Sequence, residues 1–326
     1  MFNSSKSMIF SVLAFTSLLF GIYSYIIIFN KMWYMNVEYA MWHYASEKTH
    51  STNDEKYNLV AIGDSKMKSA FIPNEFDDEE FNTINLALGG SSFISGYYTL
   101  KEYLENNESP EYLVMGYSPG LFVMAPFYHV RTVRFQYLDN SDYKEIMHLS
   151  ETIDNNETLG EGDYLDYTIY PGKYFTEFLN GITELRWFGN VEMMKILNKS
   201  KGHNYWGQDD GSTHVSEETT LEEFVPSPFI NEYVEKILTM ANEADIKVYW
   251  YTMPFNQPTI VEFNPKFVEG YNNHMEMLSA KYDFEVLAGI HAIDNDNFGD
   301  AYHLYKGAPM VTKTLKDALV ENLAHQ

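Results

Sequence analysis

Between Met8 and Phe29 the chain runs for 22 residues without a charged side chain, and Lys6 and Lys31 bracket the run. At 1.5 Å of rise per residue a helix of that length covers roughly 30 Å, the thickness of a bilayer's hydrocarbon core. A cleaved secretory signal has a shorter apolar stretch and a small-residue cleavage site, and no A-x-A sequence follows Phe29. The run reads as an uncleaved, single-pass N-terminal anchor over residues 1–34. Asn30, Lys31, Met32, Trp33 and Tyr34 then form an interfacial belt. Residues 35–56 read as a juxtamembrane segment, and no later stretch is apolar for long enough to cross again. One lysine on each flank gives the charge rule for orientation almost nothing to weigh.

The rest has the composition of a globular protein: 45% of the 326 residues are hydrophobic, ample for a core. Forty-six acidic residues against 22 basic ones give a formal charge of -24, which repels phosphate backbones and argues against a nucleic-acid partner. The chain has no cysteine, which removes disulfides, thiolate metal sites and cysteine nucleophiles together.

From Tyr57 onward short apolar runs alternate with helical stripes, the pattern of a parallel-sheet α/β domain. Strands are predicted at Tyr57–Ile62, Thr83–Leu88, Glu111–Met115, Ile246–Thr252 and Phe284–Leu287. Ile230, Val234, Ile237, Leu238 and Ala241 fall on one helical stripe, and Val311, Leu315, Leu319 and Leu323 on another. The interval of about 121–226, between the third and fourth strands, is too long for a simple crossover and reads as an insertion with structure of its own. It holds an acidic stretch from Glu151 to Asp166, read as a solvated surface. It also holds Arg131 and Arg134, two of only three arginines, within the aromatic run Pro126–Tyr137.

Gly63-Asp64-Ser65 follows the first predicted strand directly, at the sheet edge where open α/β proteins bind ligands. A serine there either caps the next helix or presents a nucleophile where the positive helix end and free N–H groups stabilise an oxyanion. Near the other terminus, Asp300-Ala-Tyr-His303 offers a base and its orienting carboxylate on one loop, as a hydroxyl nucleophile requires. The conjunction of the two motifs, after the first and the last strand, favours a serine-based site. His291 is a second-ranked base. His203 and His214 read as surface histidines, and the Asp294–Tyr305 loop lacks the bidentate acid of a calcium site. No cofactor or metal is expected.

These residues resemble the SGNH/GDSL hydrolase superfamily. Gly63-Asp64-Ser65 is similar to its nucleophile motif, Asn85-Leu-Ala-Leu-Gly89-Gly90 to its glycine-bearing second motif, and Asp300-Ala-Tyr-His303-Leu-Tyr-Lys-Gly307-Ala308 to its closing motif. The resemblance covers residues 57–326 with the insertion excluded. It implies a flavodoxin-like three-layer fold with a parallel five-stranded sheet. It further implies Ser65 as nucleophile, His303 as base, Asp300 as its orienter, and backbone N–H groups of Ser65 and Gly89 or Gly90 as oxyanion donors. The family's third-motif asparagine has no counterpart in Met115-Gly-Tyr-Ser118-Pro-Gly120, where Ser118 is the candidate substitute donor. An N-terminal anchor ahead of such a domain is similar to the cell-envelope branch of alginate O-acetyltransferases and the teichoic acid D-alanyl transfer protein. That likeness implies an extracytoplasmic domain, a multi-pass membrane-bound O-acyltransferase as partner, and a polysaccharide or teichoic-acid-like polymer as acceptor. Tyr205-Trp206-Gly207 and Phe127–Phe135 are candidate acceptor surfaces, and a basic groove around Arg131 and Arg134 would offset the chain's charge toward an anionic polymer. A carbohydrate esterase and a non-catalytic partner protein are the alternatives.

Overall fold

A computed structural model describes residues 2–53, 55–160 and 171–325. Its centre is a parallel five-stranded sheet built from β1 (Leu59–Gly63), β2 (Thr83–Asn85), β3 (Tyr112–Gly116), β4 (Lys247–Tyr251) and β6 (Glu285–Ala288), in the order β2-β1-β3-β4-β6. A separate parallel pair joins β5 (Phe255–Asn256) to β7 (Ala292–Ile293). The strand runs are apolar on both sides because both sheet faces are covered. Val60, Ile62, Leu113, Met115 and Trp250 pack into one core with the helices Phe93–Asn106, Pro228–Glu243 and Pro265–Tyr282. Leu59, Ala61, Val114, Tyr249 and Tyr251 face the other, with the helices Ser65–Ala70 and Ala308–Ala324.

The predicted second strand is shorter than its apolar run. Only Thr83–Asn85 pairs in strand register, although Leu86 and Leu88 still donate backbone hydrogen bonds to Ala61 and Gly63 (2.8 and 3.0 Å). The alternate backbone donors find other partners: Asn85 N–H donates to the Lys201 carbonyl (2.9 Å) and Ala87 N–H to Asn85 Oδ1 (3.1 Å). Asn85 Nδ2 donates to the carbonyls of Met67, Lys68 and Phe71, closing the last turn of Ser65–Ala70.

The 3₁₀ turn Pro119–Phe122 leads into the insertion, which supplies the π-helix Tyr128–Val133 and the helices Asn140–Asp154, Phe175–Thr183 and Arg186–Lys199. Of the acidic stretch Glu151–Asp166, residues 161–166 lie outside the described residues. Its described part ends the helix Asn140–Asp154, with Glu151 exposed and Asp154 half-buried.

The helix Phe2–Phe29 contains one segment, Lys6–Phe29, long and apolar enough to cross a membrane. The belt expected after it is divided: Trp33 is largely exposed, whereas Tyr34 is fully buried and donates from its hydroxyl to the Ile27 carbonyl (2.9 Å). The segment expected to be juxtamembrane belongs to the body. It forms the helix Glu38–His50, with Met41 and Tyr44 in the main core, while Trp42 and Ala45 join Ile27, Tyr34, Phe135 and Tyr174 in a third cluster at the root of the first helix.

Candidate active site

The strand order places the switch in connection direction between β1 and β3, where an open sheet leaves a crevice beyond its carboxyl ends. Asp64, the first residue after β1, ties that crevice together. Its N–H donates to the Gly116 carbonyl at the end of β3 (3.1 Å), and its Oδ2 accepts from Ser118 N–H (2.8 Å). Its Oδ1 accepts from the N–H groups of Lys66 and Met67 (2.8 and 3.4 Å), so Asp64 is the N-cap of Ser65–Ala70. The capping role open to Ser65 is thereby filled by its neighbour. Ser65 opens the helix, and its hydroxyl makes no hydrogen bond among the described residues. Gly63 permits the close approach: a Cβ there would meet the Gly116 carbonyl oxygen at 2.1 Å.

Ser65 and His303 line one cavity of about 480 Å³. Gly89, Gly90, Ser118, Trp206 and Arg131 line it too. The backbone N–H groups of Ser65, Gly89 and Gly90 donate to no acceptor among the described residues, so three donors border the site unspent. Gly90 holds φ at +66°, a backbone conformation that costs glycine little.

Asp300 and His303 form a compact unit. Asp300 Oδ1 accepts from the N–H groups of Tyr302 (2.9 Å) and His303 (2.8 Å), which shapes the loop. Oδ2 lies 2.8 Å from His303 Nδ1. Burial pushes the Asp300 carboxyl upward, but the His303 ring and the two N–H groups outweigh it and hold the carboxyl below its ordinary range. With Nδ1 committed to the carboxylate, Nε2 is the nitrogen left for chemistry. It is buried and has no hydrogen-bond partner among the described residues. The Ser65–His303 hydrogen bond is therefore not formed here, although both groups border the same space. Trp206 stacks on the His303 ring (centroids 4.8 Å, 23° between planes). It also approaches Gly89, where a Cβ would meet the indole at 2.8 Å.

The two arginines separate. Arg131, set by the π-helix, reaches the cavity but is paired with Glu38 (2.7 Å). Arg134 does not line the cavity and is bonded to Glu177. No basic groove forms around them: four carboxylates (Glu38, Asp64, Glu217, Glu218) border the cavity against Lys66 and Arg131. His291 is turned away, with Nδ1 2.9 Å from the Gly289 carbonyl, and does not border the cavity. His203 binds the Ser69 carbonyl through Nε2 (3.1 Å) and is buried, not a surface residue. His214 meets the Tyr302 hydroxyl (3.1 Å). No group of three metal-ligating side chains occurs among the described residues.

Two elements of the site carry no signal in the sequence. Glu218 returns from the far end of the insertion to accept from Lys66 Nζ and Gly120 N–H (both 2.9 Å), and Lys66 Nζ also lies 3.9 Å from the centre of the Phe255 ring. Glu38 enters from beyond the predicted domain boundary. The capping rule, by contrast, would have found Asp64. No protein-family profile matches the chain, and no curated protein matches it.

Proposed function

We propose that the protein is a membrane-anchored acyltransferase that works through a covalent acyl-Ser65 intermediate. The reading is carried by one observation: His303, oriented by Asp300 and with Nε2 unspent, borders the same cavity as an uncommitted serine and three free backbone donors. In the proposed reaction Ser65 Oγ attacks the acyl carbonyl carbon while His303 Nε2 takes the hydroxyl proton. The N–H groups of Ser65, Gly89 and Gly90 receive the oxyanion. The carbon–oxygen or carbon–sulfur bond to the donor then breaks, and the leaving group departs with the proton from His303. An acceptor hydroxyl next attacks the acyl-serine. His303 takes its proton and returns it to Ser65, which restores the enzyme.

Transfer to a sugar draws support from the apolar part of the cavity wall, where Leu121, Met124, Pro126, Phe127 and Trp206 offer a surface on which an acceptor ring can pack. The excess of carboxylates favours a neutral polysaccharide over a polyanion such as teichoic acid. The apolar first helix supports attachment to a membrane; the extracytoplasmic placement of the domain and the multi-pass acyltransferase that supplies the donor belong to the proposal through the resemblance alone. The test has two arms: fluorophosphonate labelling of the full chain, and incubation of a separate, unlabelled sample with an activated acyl ester and a neutral polysaccharide. Labelling that requires Ser65, with acylated polymer formed by the unlabelled sample, sustains the proposal. Free acid alone as product would make the protein an esterase, and labelling unaffected by Ser65→Ala would remove the nucleophile.

A further inference from the structure

The helices Phe175–Thr183 and Arg186–Lys199 form a hairpin that the chemistry above does not use. Its outer surface is unusual for a face meeting water. Phe175, Leu179 and Ile182 project from one stripe of the first helix at i, i+4 and i+7, and Leu185 and Phe188 continue it across the turn. All five are exposed, Leu179 at 45% and Phe188 at 67%. Leu185 takes a left-handed backbone (φ +53°) at the tip, where glycine or asparagine is the usual occupant.

The hairpin stands beside the lower part of the apolar first helix. Tyr23 packs edge-on against Phe178 (5.0 Å between ring centroids) and Phe175 (6.2 Å), and Trp33 lies against Trp187 (5.6 Å). Tyr23 precedes the helix end at Phe29 by six residues, about 9 Å along the axis. Phe175 and Phe178 therefore sit level with the apolar run, not above it. The position is fixed by polar bolts to the segment after the helix. Buried Asn190 donates to the carbonyls of Met32 (2.8 Å) and Met35 (2.9 Å), and Arg186 donates to that of Tyr34 (2.9 Å) while pairing with Glu177. Gly181 presses on Tyr34, where a Cβ would meet Tyr34 Cα at 2.3 Å.

We infer that this hairpin is a second lipid contact, lying in the interface of the same bilayer leaflet with the stripe from Phe175 to Phe188 turned into the acyl-chain boundary. A bilayer thick enough to cover the first helix down to Tyr23 must also meet the rings packed on Tyr23, and an apolar stripe at that depth gains by burial in lipid. The inference rests on the reading of Lys6–Phe29 as a membrane-spanning anchor.

The chain has no cysteine, so single cysteines carry a probe cleanly. Leu179→Cys and Phe188→Cys, labelled with an environment-sensitive fluorophore, are compared in phosphatidylcholine–phosphatidylglycerol vesicles. Leu18→Cys in the anchor serves as the positive control. Met277→Cys, 54% exposed on the helix beside β6 at the opposite sheet edge from β2, serves as the negative one. The expected result is a blue shift and quenching by doxyl lipids at positions 179 and 188 of the same order as at position 18, and none at 277. Quenching at 18 with 179 and 188 as wet as 277 overturns the lipid contact and leaves the anchor standing. No quenching at 18 overturns the anchor and the inference together. Shielding of 179 and 188 from a water-soluble thiol reagent in host membranes, without quenching in pure lipid, assigns the stripe to a protein partner and overturns the lipid contact.

Discussion

Each residue of the proposed reaction can be removed separately. Ser65→Ala should abolish fluorophosphonate labelling. His303→Gln should slow it by about 10²–10⁴-fold, the usual range for a positioned base. Asp300→Asn should fall in the same range, because an amide at that place no longer selects the ring orientation and tautomer; rates of labelling at constant pH measure all three. A different histidine controls stability. Burial, with a smaller contribution from nearby Lys68, pushes His203 down to about 4, against the upward pull of its bond to the Ser69 carbonyl. Between pH 6.5 and 4 the unfolded chain binds a proton there and the folded chain does not, so stability is lost as the pH falls through that window. The loss attributable to this group is on the order of 3 kcal/mol. Melting temperatures from pH 7 to 4 should drop less steeply in His203→Gln than in the unaltered chain. Burial also lowers Lys68, to about 7.

Elements decide how much of this can be read from residues alone. The sheet strands announce themselves as short continuous apolar runs because both sheet faces are covered, and the stripes of Pro228–Glu243 and Ala308–Ala324 by a period of 3.6 because each helix is buried on one side. The Asp-x-x-His loop is equally readable, since both partners sit on one short piece of backbone. The helix Glu38–His50 is not, because it is packed on two sides, by the body and by the root of the first helix, and so has no clean polar face. Nor is the Lys66–Glu218 pair, whose members are 152 residues apart and meet only after the insertion folds. That pair should behave as a clasp between the insertion and the helix that begins at Ser65. Glu218→Gln removes the counter-charge held 2.9 Å from the nearly buried Lys66 ammonium and should cost roughly 3 kcal/mol. Lys66→Met with Glu218→Leu should recover much of the loss. Urea unfolding of the two variants provides the comparison.

For the molecule as a whole, the decisive feature is the joint between the first helix and the body. Three side chains or close contacts, from Asn190, Arg186 and Gly181, hold the Met32–Met35 segment against the hairpin, in place of a free linker. Asn190→Ala strips the half-buried Met32 and the buried Met35 carbonyls of their shared donor and should destabilise the joint by about 1–3 kcal/mol. Limited proteolysis in detergent should then cut first near Met32–Met35, a segment where the unaltered chain should resist cleavage. The consequence is one of reach. A head on a loose string samples many heights, whereas a clamped one works at a single elevation. Under the proposed function, with the first helix seated in a bilayer, the acceptor has to do the travelling, and chains that have drifted clear of the surface stay unmodified.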